Sequence, residues 1–389
     1  MNRPAERLAA VSILCGIAML SMVSSPVVFA QNLQAELVQR VWTNEVGVTV
    51  DSVKISGNGS LVLVGLDNGS ALLFRSSDGV LVRSFHPLAS ASAMSQRVVN
   101  TGLSFDGSYV IAIKDVYSRD GQLVARFDKI GAGGYTLSVS PTASLILSSS
   151  DTAVRLFDGF NQTKNLVWSL HFEHGVEEVR AWMSPDTKSV VVSSADTRLS
   201  MLTSAGMSRW NATFDNPVVA VALSYDASLV VVSTSDGMVR YLDSAGSISK
   251  SFLIAKAQVQ VVSVPQSPSI SYLAQNVAMP WAGNYVVLGD SEGRVELFDR
   301  SGVLMFNLSP SPFTLSSLPI NAVDTSADGL YLAAASGGTV ALFKAPSLQQ
   351  PIQPQGNGLS LIPLVLLVVV IAGGVAGIGV YLVSRRRRG

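Results

Sequence analysis

Residues 53–85 read VKISGNGSLVLVGLDNGSALLFRSSDGVLVRSF. Four apolar, β-branched-rich runs (53–56, 61–64, 71–74 and 81–85) alternate with three turns, Gly57-Asn58-Gly59, Asp67-Asn68-Gly69 and Ser77-Asp78-Gly79. β-branched residues suit a pleated strand, and Asn-Gly and Asp-Gly pairs supply the positive φ that tight hairpins need. The stretch is therefore one four-stranded antiparallel meander.

The unit recurs along the chain. A serine or proline that closes the first strand marks each copy, at Ser56, Ser104, Ser140, Ser184, Ser224, Pro280 and Ser326. The marks stand 36 to 56 residues apart. The second strand of the unit is apolar on both faces, as in Val190-Val191-Val192 and Val230-Val231-Val232. Such a strand needs cover on both sides, so each sheet must lie between two others. Stacking four-stranded sheets radially about an axis is the β-propeller solution, with about 40 to 50 residues per blade.

The two ends of the array predict how the ring closes. The seventh unit has strands at 320–323, 330–334 and 339–343 and then stops at Lys344-Ala345-Pro346. Residues 37–42, with Trp42, resemble an orphan fourth strand and match 165–170 with its Trp168. Six complete units, three strands and one orphan make a seven-bladed, all-β propeller of four-stranded antiparallel blades. The N-terminal strand is expected to complete the last blade and remove an exposed edge.

Ser104-Phe105-Asp106-Gly107-Ser108, Ser326-Ala327-Asp328-Gly329, the Leu-Phe-Asp triplets at 156–158 and 297–299, and Asp120-Gly121-Gln122-Leu123 carry a family resemblance. Over nearly the whole of 31–344 the chain resembles the WD-repeat and quinoprotein-like (PQQ-like repeat) β-propeller superfamily. Strict Gly-His and Trp-Asp signatures are absent, which makes it more similar to the quinoprotein-like branch. Quinone dehydrogenases of that superfamily hold their cofactor over calcium, often beside adjacent cysteines. The chain shows no matching acidic and amide cluster, and its only cysteine is Cys15. No cofactor is expected.

The regions flanking the repeats set its surroundings. Arg3 and Arg7 precede an apolar stretch at 8–23, Pro26 breaks it, and Val28-Phe29-Ala30 presents a cleavage site before Gln31. This is the pattern of a secretory signal peptide over 1–30, cut between Ala30 and Gln31. Residues 345–360 form a Pro/Gln linker, and 361–383 are 23 residues without a charge, enough to span a hydrocarbon core of roughly 30 Å. Arg385, Arg386, Arg387 and Arg388 follow in a basic tail, 384–389, that belongs in the cytoplasm. The expected protein is single-pass in the cell membrane, with its propeller outside. Gly373 and Gly377 form a Gly-x-x-x-Gly pair suited to close helix approach.

Charge and cysteine content narrow the possible partners. The chain has 27 basic and 27 acidic residues. Setting aside Arg3, Arg7, the four tail arginines and Glu6 leaves 21 basic and 26 acidic, a net charge of −5. No clustered Lys/Arg surface for nucleic acid is seen. Removal of the signal also removes Cys15, so the mature chain has no disulfide.

Few residues suggest chemistry. His171, Glu173 and His174, with Glu177 and Glu178 nearby, are the densest group of possible metal ligands. They fall at a connection between strands, where a solvated loop is the ordinary reading. The aspartates recurring in the first turn (Asp106, Asp186, Asp226, Asp328) and the second (Asp67, Asp236, Asp290) are expected to hydrogen-bond turn backbone. Calcium at Asp290-Ser291-Glu292-Gly293 has too few oxygens in view. Asn58, Asn68, Asn161, Asn211 and Asn307 are Asn-x-Ser/Thr glycosylation acceptors.

Long connections at 86–97, 251–275 and 309–319 each join an outer strand to the next inner strand, placing them on one rim. Binding usually resides in loops displayed on a rigid scaffold. The expected function is a non-enzymatic scaffold, binding protein or glycan at that inserted rim. The alternatives are an extracytoplasmic hydrolase or lyase at the channel mouth and a structural envelope component or sensor. An enzyme would show displaced pKa values in the channel, and a binder an exposed apolar or aromatic patch.

Overall fold

A computed structural model describes residues 38–86, 101–112, 115–127, 136–150, 153–160, 165–172, 179–194, 197–254, 260–261, 271–272, 276–308 and 318–345. These form seven four-stranded antiparallel sheets and one short two-stranded ladder. Blade one is Val50–Ile55, Leu61–Leu66, Ala71–Arg75 and Leu81–Phe85. Blade two is Thr101–Leu103, Tyr109–Ala112, Asp115–Ser118 and Leu123–Arg126, and blade three Thr136–Val139, Leu145–Ser150, Ala153–Asp158 and Leu166–His171. Blade four is Arg180–Met183, Ser189–Ser193, Arg198–Thr203 and Ser208–Thr213, and blade five Val218–Leu223, Leu229–Thr234, Met238–Asp243 and Ile248–Leu253. Blade six is Val277–Ala278, Tyr285–Gly289, Val295–Asp299 and Leu304–Leu308. Blade seven takes Ile320–Thr325, Tyr331–Ser336 and Thr339–Lys344 from the end of the array and Gln39–Glu45 from its beginning.

The closing strand pairs antiparallel with Thr339–Lys344, Gln39 facing Lys344 and Glu45 facing Thr339. It starts at Gln39 and runs to Glu45, whereas the sequence suggested 37–42. As an outer strand it is covered on one side only, so its apolar pattern is thin and its ends are poorly marked. Trp42 is its one well-buried residue. Inner strands show a related shift. Blade one begins at Val50, three residues before the sequence pattern becomes regular, because a bulge between Val50 and Ser52 breaks the alternation.

The core explains why second strands are apolar on both faces. Seven clusters of buried side chains form, each built from two consecutive blades. In blade one, Leu61 and Leu63 pack toward blade two, while Val62, Val64 and Leu66 pack toward blade seven. In blade five, Leu229 and Val231 face blade six, and Val230 and Val232 face blade four. The cluster joining blades seven and one contains Trp42, Val53, Ala333 and Leu342, so the ring has no dry gap at its seam.

One position does the same work in all seven first turns. Three residues after each register mark the backbone is left-handed: Gly59, Gly107, Ala143, Thr187, Ala227, Gly283 and Gly329 all have φ between 55° and 74°. Glycine adopts this freely, whereas Ala143, Thr187 and Ala227 do so against steric resistance. Where the mark is serine, its hydroxyl accepts the N–H five residues on, as in Leu61, Tyr109, Leu145, Ser189, Leu229 and Tyr331. Each mark thus ties off the start of the second strand.

In this meander the first and third turns share one rim, and the second turns share the other with the blade-to-blade connections. The long connections begin after Phe85, Leu253 and Leu308. That after Leu253 contains the extra ladder, Gln260–Val261 with Ser271–Tyr272. Strand Ile248–Leu253 therefore extends past residue 251, where the sequence had placed the start of that connection. Among the described residues no helix is long and apolar enough to cross a membrane. The signal peptide, the linker beyond Ala345, the span at 361–383 and the arginine tail lie outside the described residues.

Candidate functional site: the axial cavity and its aromatic mouth

Lining up the seven blades on their register marks places one side chain from each at the same height on the axis. Two residues before the mark stand Lys54, Gly102, Ser138, Trp182, Ala222, Ala278 and Asp324. All seven line a cavity of about 260 Å³. The void follows from size, because four of the seven positions carry Gly, Ser or Ala. Its one charged wall comes from neighbouring blades one and seven. Lys54 Nζ lies 3.6 Å from Asp324 Oδ1, and the Ile55 N–H donates to Asp324 Oδ2 at 2.8 Å. Trp182, from blade four across the ring, supplies an aromatic wall. Burial raises the Asp324 carboxyl above the ordinary aspartate range, with Lys54 and the Ile55 and Thr325 N–H groups pulling it down.

One residue after the mark stand Gly57, Phe105, Pro141, Pro185, Tyr225, Trp281 and Ala327. These turns hold one another by backbone hydrogen bonds. The Ala327 N–H donates to Gly57 O, Asn58 to Phe105 O, Phe105 to Pro141 O, Asp186 to Tyr225 O, Tyr225 to Trp281 O, and Trp281 to Ala327 O, at 2.7–3.0 Å. Six of the seven blade junctions are linked in this way. The seventh, between blades three and four, has Pro141 at this position, a residue with no N–H to give.

Aromatic rings span the mouth within that circle. Phe105 of blade two and Trp281 of blade six lie 5.2 Å apart between centroids, and Tyr225 of blade five lies 5.3 Å from Trp281. Blades two and six are nearly opposite, so the rings bridge the axis. Phe105 and Tyr225 remain 38% and 48% exposed. Gly57 is required beneath Phe105, because a Cβ there would collide with the ring. Sequence reading placed the apolar patch of a binder on the inserted rim; this aromatic patch is on the short-turn rim. Neither it nor the cavity was anticipated, although reading the repeats as columns would have exposed both.

The residues singled out in sequence fall as follows. His171 ends the outer strand of blade three, exposed, its Nδ1 3.3 Å from Ser169 Oγ. Glu173 and His174 lie outside the described residues, among which no group of three or more His, Cys, Asp or Glu could hold a metal. Asp106, Asp186, Asp226 and Asp328 each accept the backbone N–H two residues on. Asp236 and Asp290 do the same in the second turn. In blade one that role belongs to Asn68, which accepts from Ser70, in place of Asp67. The Asp290 carboxylate also receives the Arg294 N–H and Nε, which leaves it little capacity for calcium. Asn58, Asn68 and Asn211 are exposed, Asn307 is half-buried, and Asn161 lies outside the described residues.

Pocket and mouth rest on this geometry alone: no protein-family model matches the chain, and no curated protein matches it.

Proposed function

We propose that the protein is a single-pass, extracytoplasmic scaffold that binds a protein or glycan through its inserted rim and performs no chemistry of its own. Its relatives in architecture are the quinoprotein-like propellers, on the strength of the Asp-bearing turns and Leu-Phe-Asp strand ends. Residues 1–30 are its export signal, 361–383 its membrane span, and Arg385 to Arg388 its cytoplasmic anchor.

The observation that carries this reading is the pairing of Gln39 with Lys344 on the short-turn rim. Both connections to the flanking regions leave from that rim, so a tether at 345–360 leaves the opposite rim, with its long connections, pointing away from the bilayer. Epitope tags placed at 262–270 and in the Ala205 turn test this on intact cells. Antibody should reach the first tag and be hindered at the second. Free access at Ala205 together with shielding at 262–270 would reverse the orientation. Shortening the 255–275 connection should abolish partner capture without changing the melting temperature.

A second reading is favoured by one feature, the Asp324 carboxyl raised by burial beside Lys54 in a cavity. On that reading the channel hosts a hydrolase or lyase with Asp324 as proton donor. Asp324→Asn keeps an acceptor for the Ile55 N–H and should abolish any such turnover. An undiminished rate would remove Asp324 from that role.

A further inference from the structure

Exposed apolar side chains are divided unequally between the two rims. Among the described residues fifteen large apolar or aromatic side chains are exposed, and thirteen of them sit on the short-turn rim. Phe105 and Tyr225 stand at its axis. The other eleven occupy its third turns or the first two residues of its outer strands, as with Leu81, Leu166 and Met207. Beside the long connections only Leu253 and Leu318 are exposed in this way. An apolar surface gathered on one face of a soluble domain marks a contact.

What covers it is indicated by where the chain leaves. Gln39 and Lys344 face each other on this same rim, and only 16 residues, 345–360, separate it from the uncharged run at 361–383. We propose that the short-turn rim rests on the outer leaflet of the bilayer crossed by residues 361–383, with Phe105, Tyr225 and Trp281 entering the headgroup layer. The inference rests on 361–383 being a membrane span.

Three physical points support it. Trp and Tyr favour the membrane–water interface, where an apolar ring and a polar edge are both satisfied. A short tether holds its two ends at an effective concentration of about millimolar, so a weak attraction between rim and lipid becomes a persistent contact. The turn carboxylates Asp106 and Asp226, beside the rings, are held ionised by Ser108 and Ser228. They disfavour an anionic surface, so the contact should prefer zwitterionic lipid and depend little on salt.

The test uses the full chain with Cys15→Ser, reconstituted in phosphatidylcholine vesicles. Tyr225→Cys and Met207→Cys each carry a nitrobenzoxadiazole label on the short-turn rim, and Asn68→Cys carries it on the opposite rim. With spin-labelled phosphatidylcholine, quenching at 225 and 207 should exceed that at 68 at least threefold. Phe105→Ser with Trp281→Ser should reduce the excess at 207. Equal quenching at all three positions, in protein that resists carbonate extraction, overturns the proposal while leaving the span intact. Protein stripped by carbonate overturns the span and the proposal together. Shielding of 225 and 207 from iodide in detergent as strongly as in vesicles would assign the rim to a second copy of the chain and likewise overturn it.

Discussion

Two circles of contacts fasten the blades on the short-turn rim, and they use different chemistry. The inner circle, at the axis, is made of backbone N–H and C=O groups passed from turn to turn. The outer circle is made of side chains laid over the next blade's third-turn glycine. Trp42 covers Gly79, Trp168 covers Gly206, and Trp210 covers Gly246. Trp42 Nε1 also donates to Ser76 O at 2.9 Å, and Trp168 Nε1 to Ser204 O at 2.7 Å. A backbone circle is indifferent to its side chains, which is why Gly, Phe, Pro, Tyr, Trp and Ala all occur there and why aromatic rings could gather there. A ring lying on a glycine tolerates little change on either side. The inner circle leaves room for function, and the outer one secures the architecture.

That contrast can be broken at its strongest point first. Trp42→Ala removes a buried ring and the fastening of the closing strand, and should cost about 3–5 kcal/mol in denaturant unfolding. Trp168→Ala removes an equivalent clasp between two blades that are contiguous in sequence. A cost at position 42 no larger than at 168 would mean that closure adds nothing. On the inner side, Ser224→Ala strips the Leu229 N–H of its 3.0 Å acceptor in a buried turn, and about 1–3 kcal/mol should be lost. No loss there would show that the register marks are dispensable.

Smaller effects sharpen the picture. Ala227 holds φ at 55° where four other blades place glycine. Ala227→Gly should stabilise by up to about 1 kcal/mol, the steric relief exceeding glycine's added chain entropy, measurable as a raised melting temperature. The smallest effect is acid sensitivity. The Ser108 hydroxyl and N–H hold the Asp106 carboxyl below its usual range, and the Ser228 N–H and hydroxyl do so for Asp226. A lowered folded-state pKa gives stability that is present above about pH 4 and lost as pH falls through the folded value. Asp106→Asn with Asp226→Asn should therefore flatten the acid limb of a stability–pH profile, and an unchanged limb would assign acid unfolding to other carboxylates.

The same contrast explains what could be read from sequence. The blades were legible because strand alternation, Asp-Gly turns and register serines are local signals repeated seven times. The closing strand was legible because Trp42 repeats the pattern of Trp168. Its ends were not, since an exposed outer strand has little periodicity and the bulge between Arg40 and Trp42 shifts its register. The cavity was hidden for another reason. Lys54 and Asp324 are 270 residues apart and meet only because the ring closes. Phe105 and Trp281 are brought together by the same geometry.

Pairing the first strand with the last also dictates an order of assembly. Blades one to six each take their four strands from one contiguous stretch and can form as that stretch becomes available. The seventh cannot be completed until residue 344 joins a strand that has waited since residue 39. Until then the nascent domain is an open arc with unpaired edges at both ends, its most aggregation-prone state. The contact that ends this exposure is also the one with the greatest sequence separation in the sheets, so joining it should limit the folding rate.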